Sequence, residues 1–480
     1  MAENQDQGKM IQDPAVVAKA GLWYTVCSFV FKAVAFLTTP LFARLMSKTE
    51  LGGFTDFASL AAILMIVTSL DLYQSIVRSK SDHAEDMDSY IWSILSLSTL
   101  WTLLLYGIFL IFPEFCANLL KIDQKYIHIL FWYLLAAPPY TMLITRQRAF
   151  YKYKSFVLLT GIMTISGTLL ALLLVYLMED NLTGRIIGFY SPYVLFGTII
   201  FIYLAIRGKK IKPAYWKYAA VICLPLVPHA LSLHILGVSD ILLITRLCGK
   251  EYTAFYSIAF SAYQIASAFF DAMNKAWSPW LMDSLHAGNH EQIRKISRIY
   301  IAVFALIIVG LLMLVPEIVL ILGGRQYGRA AYGLPALLAS SAFLFVMTMY
   351  VNVEVYEKKT VWVSLATVAG TAVNVILNLI LLPLSPENSY IIAAFTTLAG
   401  YMVLFTIHYF ILRKMKMDHV YDIRFNVAVL GGILATAGVM YLLYDLTIVR
   451  WIVIAVYAGA VLYLLFRFRG TLKKMFLKRR

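Results

Sequence analysis

Lys32 stands in the middle of an apolar run, thirteen residues after Lys19 and twelve before Arg44. In a helix that is roughly 18 Å from either end, beyond the reach of a snorkelling side chain. A charge at such depth costs about 2.5–3.5 kcal/mol on insertion scales, so Lys32 should face a wet cavity or an anionic partner. Thr25, Ser28 and Thr39 follow it along one side of the helix. That stripe suits contact with a phosphate or an acidic sugar, and a structural pairing with a buried carboxylate is the competing reading.

Other polar residues interrupt apolar segments. Asp271 and Lys275 are four apart, acid first, the favourable order for an intrahelical pair; they either neutralise each other or serve the same cavity as Lys32. Asp71, Gln74 and Arg78 form a shorter stripe, readable as a solvated mouth or a salt bridge. Ser364, Thr367, Thr371, Asn374 and Asn378 recur every three or four residues. Their amides and hydroxyls both donate and accept, which suits sugar hydroxyls, although such residues also pack membrane helices together. Pro225 and Pro228 predict a kink beside His229. His229, His234 and Asp240, with Asp271 and Asp71, are the candidates for coupling to H+ or Na+.

The elements that position these residues follow from composition. Of 480 residues, 61% are hydrophobic and 14% charged, whereas a soluble domain is about half apolar and about a quarter charged. Runs of eighteen or more apolar residues can cross a bilayer as helices. Fourteen are expected: 20–42, 54–77, 90–112, 126–144, 156–178, 186–206, 218–245, 252–281, 300–322, 331–356, 361–383, 390–412, 425–444 and 451–466. The first fourteen residues hold no apolar core and are not expected to act as a cleaved signal. Cys27, Cys116, Cys223 and Cys248 form no C-x-x-C, so neither a metal site nor a disulfide framework is expected.

Charge supplies the topology. The net charge is +15, and 29 Lys and Arg fall on one alternate set of connections against ten on the other. Basic residues accumulate on the cytoplasmic side, so both termini are expected there, and the excess needs no nucleic-acid partner. The tail from Lys473 to Arg480 adds some affinity for anionic membrane lipid. Every extracytoplasmic connection is too short for a folded domain, so function should reside among the helices.

The chain also repeats itself. Arg44-Leu-Met-Ser-Lys48-Thr-Glu50-Leu-Gly-Gly-Phe54 recurs, one residue shorter, as Arg246-Leu-Cys-Gly-Lys250-Glu251-Tyr-Thr-Ala-Phe255. Six spans separate the copies, so the halves run parallel, as in transporters built from two lobes around a shared site. The expected organisation is an all-α polytopic bundle: a first lobe over 1–214, a second over 215–424, and an appended pair with a basic tail over 425–480.

Six plus six parallel spans with a C-terminal pair resemble the multidrug/oligosaccharidyl-lipid/polysaccharide (MOP) flippase superfamily, whose multidrug branch is the MATE transporters. Within it, the chain is most similar to polysaccharide flippases of the Wzx type. The residues that carry this are Arg44 to Gly52, Pro228-His229-x-Leu231-Ser232, Ser239-Asp240, Phe255 to Ala259, and Asn274-Lys-Ala-Trp277-Ser-Pro279-Trp280. The resemblance implies a MATE-like fold in the bacterial cytoplasmic membrane and alternating access around a central cavity. It implies translocation of oligosaccharide on polyprenyl diphosphate for O-antigen, capsule or exopolysaccharide, with a polymerase as a possible partner. Lys32, Thr25, Ser28, Thr39, Lys275, Asn374 and Asn378 are then the expected substrate contacts. No cofactor or metal is expected beyond a coupling ion. A cation antiporter is the first alternative, although the first span holds no Asp or Glu. A polytopic glycosyltransferase or polymerase is the second, and it lacks a large outer loop for catalytic residues.

Overall fold

The computed structural model describes residues 14–224, 227–357 and 359–467. Thr25, Ser28, Lys32 and His229 lie in helices, but their side chains are outside the described residues. All regular structure among the described residues is helical. The first set comprises α1 (Pro14–Leu45), α2 (Lys48–Ser69), α3 (Ser75–Asp82), α4 (Met87–Ile111), α5 (Pro113–Leu120), α6 (Gln124–Ala149), α7 (Tyr153–Leu177) and α8 (Asn181–Gly208). After α9 (Pro213–Cys223) comes a second set: α10 (Val227–Leu247), α11 (Lys250–His286), α12 (His290–Met313), α13 (Val315–Gly323), α14 (Leu334–Tyr356), α15 (Thr360–Leu381) and α16 (Ser389–Lys414). The chain ends with α17 (Ile423–Leu443) and α18 (Thr447–Arg467). Among the described residues, ten helices are long and apolar enough to cross a membrane.

Three of the expected runs are each divided between two helices, for local reasons. α2 stops at Ser69 because Leu70 and Asp71 both take left-handed backbone angles, φ 48° and 52°. Non-glycine residues hold such angles at a cost of about 1–3 kcal/mol each, and only where surrounding structure fixes them. The run over 218–245 is split into α9 and α10, with Pro228 in the first turn of α10, where its missing N–H is no loss. The run over 300–322 breaks at Leu314, and Pro316 opens α13.

The turn from α1 to α2 is written in the repeated motif. Ser47 and Glu50 form a reciprocal cap: the Glu50 amide donates to Ser47 Oγ at 3.3 Å and the Ser47 amide to Glu50 Oε2 at 2.7 Å. The second copy turns differently, through Gly249 at φ 117°, a conformation that L side chains rarely adopt.

The largest apolar cluster fills the second set and takes in Phe42, Ala43, Met46 and Leu51 of α1–α2, while the first set holds two further clusters, on one of which α9 packs. Ala219 and Cys223 of α9 join the buried cluster of Leu72, Ile76, Tyr90 and Ile94. Lys212, just ahead of α9, and Tyr215 both bond to Asp86, at 2.5 and 2.6 Å, and Trp216 donates to the Ser93 carbonyl at 2.7 Å. α17 and α18 lean on the second set. Arg450 grips Glu317 with two bonds of 2.5 and 2.6 Å, and Tyr444 donates to the Leu312 carbonyl at 3.0 Å. Arg450, read from sequence as a connection charge, is therefore a buried anchor for the terminal pair.

Candidate functional site

The two copies of the repeated motif meet. Lys48 of the first pairs with Glu251 of the second at 3.2 Å, and its ammonium lies 4.8 Å from the centre of the Phe255 ring. Gly52 rests against the backbone of Lys250 so closely that a Cβ would fall 1.8 Å from the Lys250 carbonyl oxygen. Ser257 donates to Thr55 Oγ1 at 2.9 Å, and Gln326 donates to the Ala43 carbonyl at 2.8 Å. Together these contacts form a seam between α1–α2 and α10–α11 at the end of the bundle that carries the motif. Behind it, the Arg185 guanidinium is held between the Phe42 and Phe54 rings, 4.0 and 3.9 Å from their centroids.

Deeper in the second set, one carboxylate gathers four helices. Asp240 on α10 is 2% exposed, and Asn374 and Asn378 on α15 are fully buried. Tyr256 on α11 donates to Asp240 Oδ2 at 2.6 Å, and Thr397 on α16 donates to the same oxygen. Asn378 and Asn374 donate to Oδ1 at 2.6 and 3.2 Å. The amide oxygens are in turn satisfied, by Thr396 on Asn378 at 2.6 Å and Ser239 on Asn374 at 3.0 Å. Hydrogen bonds to a charged acceptor contribute about 1.5–3 kcal/mol each, which offsets the cost of placing the group at this depth. The cluster offers a single carboxyl group surrounded by amide N–H and hydroxyl donors.

This corrects the reading of the α15 stripe. Asn374 and Asn378, expected to meet sugar hydroxyls, face Asp240 and the α16 hydroxyls instead, because their side of α15 packs inward against α10 and α16. Thr371 likewise donates to the Ser232 carbonyl on α10 at 3.3 Å.

The other expected residues are placed as follows. Asp71 is buried at the α2 break and accepts from Gln74 at 3.3 Å; His234 is half-buried on α10. Asp271 is half-buried and Lys275 exposed on α11, and both have interaction partners. Thr39 is half-buried on α1 and also partnered. Thr25, Ser28, Lys32 and His229 fall outside the described side chains.

Sequence reasoning missed two features. Glu354, two residues from the end of the expected run 331–356 and so placed near a membrane surface, is instead fully buried on α14 with its Oε1 2.8 Å from His408 Nδ1 on α16. His408 was unremarkable in sequence because its only signal is a lone polar residue in an apolar helix. The hydroxyl pair Thr396-Thr397 was the readable sign of a partner for α15, six and seven residues past the expected N-terminal edge of the α16 span.

The helical bundle, its two sets and the seam define a transporter-like membrane fold, and comparison gives it a place. The chain is similar to the structure of the lipid II flippase MurJ in an inward closed conformation, with a TM-score of 0.66 at 14% identity over 94% of this chain and 100% of that one. It is also similar to a multidrug resistance MATE family transporter of the MOP superfamily in an inward-facing conformation, with a TM-score of 0.54 at 13% identity over 82% and 95%. These likenesses establish the fold, and the chain is a multi-pass membrane protein. A search of curated proteins gave no match. The profile of the family described as polysaccharide biosynthesis protein matches residues 17–285, and the chain belongs to that family, within the MOP superfamily.

Proposed function

We propose that the protein flips polyprenyl-diphosphate-linked oligosaccharide repeat units across the bacterial cytoplasmic membrane by alternating access, supplying surface polysaccharide assembly. The observation that carries this is membership of the polysaccharide family on a bundle whose parallel repeats meet at a seam of small and partly exposed contacts. Parting it uncovers the apolar contact of Phe42, Ala43, Met46 and Leu51 with the second set, which a substrate or ion must offset. In this reading fourteen helices span the membrane, both termini are cytoplasmic, and the seam lies on the outer side. The lobes are 1–214 and 215–424 along the chain, with α9 packed back onto the first and α17 and α18 appended. Lys32, with Thr25, Ser28 and Thr39, contacts the diphosphate or an acidic sugar, and Lys275 adds charge on the facing set.

Asp240 is the coupling group. A buried carboxyl ringed by donors suits a proton, and it suits a hard monovalent cation such as Na+ once the Tyr256 and Thr397 hydroxyls turn their lone pairs inward. His229, Asp71 and Asp271 remain secondary candidates. A cation antiporter would use the same group, but the first span supplies no carboxylate for a cationic substrate.

Lys32→Ala should abolish surface polysaccharide while the protein stays in the membrane; normal polymer in that strain removes Lys32 from the reading. In proteoliposomes, translocation of a lipid-linked oligosaccharide should respond to a Na+ or H+ gradient and lose that response in Asp240→Asn. Indifference of the unaltered protein to both gradients removes the coupling role.

A further inference from the structure

Three apolar grooves open on the outside of the second set, and one of them differs in chemistry. The groove between α12 and α18 and the groove among α14, α16 and α17 are lined by uncharged residues. The groove between α15 and α16, about 630 Å³, is apolar along Trp362, Leu365, Ala369, Phe410 and Ile411 but ends at two lysines, Lys359 and Lys414.

The end of this groove is built for an anion. Lys359 and Lys414 are both exposed, and neither makes an ion pair among the described residues. Lys414 Nζ lies 4.9 Å from the centre of the Trp362 ring, which holds the ammonium at the mouth. Lys359 is also the N-cap of α15, a 22-residue helix with no side-chain cap on its first turn, so the positive end of the helix dipole lies beside it.

The rest of the groove is built for hydrocarbon and faces the bilayer. Trp362, Leu365 and Phe410 are 45%, 57% and 56% exposed, whereas Asn374 and Asn378, on the opposite side of α15, are fully buried around Asp240. The opening therefore communicates with surrounding lipid and not with the space between the sets.

We infer that the α15–α16 groove is a binding site for an anionic phospholipid, its phosphate held by Lys359 and Lys414 and one acyl chain lying along Trp362, Leu365 and Phe410. Charge complementarity selects the headgroup, because a zwitterionic lipid with the same chains fills the groove equally well but brings no net charge to the two ammonium groups. Bilayer phospholipid reaches this outer face by lateral diffusion. The site stands or falls independently of which substrate is flipped.

Native mass spectrometry of the purified full chain tests this, with phosphatidylglycerol and phosphatidylethanolamine of identical acyl chains as probes. Phosphatidylglycerol should be retained roughly ten- to thirty-fold more tightly, the preference expected of two lysines near a lipid phosphate. The exposed-site double variant K359Q/K414Q should retain both lipids alike, while Ala369→Trp, which fills the groove, should lower retention of both. Equal retention by the unaltered protein overturns the proposal, as does a preference that survives K359Q/K414Q. Displacement of phosphatidylglycerol by equimolar polyprenyl phosphate also overturns it, by assigning the groove to a substrate tail.

Discussion

The seam and the Asp240 cluster are both polar and both join several helices, yet they are made oppositely. At the seam, the Lys48 and Glu251 side chains are 30% and 55% exposed. A pair of that kind contributes about 0–1 kcal/mol, so it can open at little cost. Around Asp240 every donor is buried and matched to an acceptor, and removing one partner leaves others unpaired at about 1–3 kcal/mol each. The first is a joint between rigid bodies; the second belongs to the interior of one of them. Asp240 on α10 and Tyr256 on α11 tie the cluster to the two helices that carry the second copy of the motif.

The strongest way to break this contrast is Gly52→Leu. With a Cβ placed 1.8 Å from the Lys250 carbonyl, the closed seam cannot form. Transport should fall to background, and the distance between spin labels on Thr49 and Glu251 should lengthen. Gly107→Ala, which meets nothing within 4 Å, should leave both unchanged. A closed seam in Gly52→Leu would mean that the contact is incidental.

Asp240→Ala should come next, destabilising the second set by about 3 kcal/mol through stranded donors, read as a lowered Tm in detergent. Asp240→Asn keeps an acceptor and should melt closer to the unaltered protein, so equal losses in the two variants would contradict the pairing described. Lys48→Glu should have a smaller effect, under about 1 kcal/mol, and the swap K48E/E251K should restore transport. Failure of the swap to do so would put the value of Lys48 in its contact with Phe255.

The smallest effect concerns the dock of α9. Bonds from Lys212 and Tyr215 hold the Asp86 carboxyl down at about 2. A carboxyl depressed in the folded state contributes stability that is complete above its unfolded value near 4 and is lost as pH falls through about 2. Amide protection factors in α9, taken relative to the intrinsic exchange rate at each pH, should therefore be flat from pH 7 to about 5 and fall below 4, and Asp86→Asn should remove that acid limb.

Much of the architecture was legible before any coordinates. Apolar runs placed the helices because hydrocarbon requires every backbone group to be satisfied within its own segment. Both copies of the repeated motif fall at helix-to-helix turns, which the Ser47–Glu50 cap and Gly249 close by local geometry. The candidate site was legible by residue type but not by partner. Asp240, Asn374 and Asn378 were each singled out, yet as separate roles, because the contacts joining them span 134 and 138 residues. Glu354 was misplaced for the same reason: its partner His408 lies 54 residues away.

What this sequence determines alone is therefore one-dimensional: which segments are apolar enough to cross a membrane, where they begin and turn, and that one motif occurs twice in the same orientation. These are fixed by interactions within a helical turn or with the surrounding lipid, both of which a short stretch of chain already defines. Only the tertiary structure decided that the two motif copies touch, that the α15 amides serve a carboxylate, and that two distant lysines cap one groove. Such pairings depend on which helix faces bury one another, a choice made by packing the whole bundle.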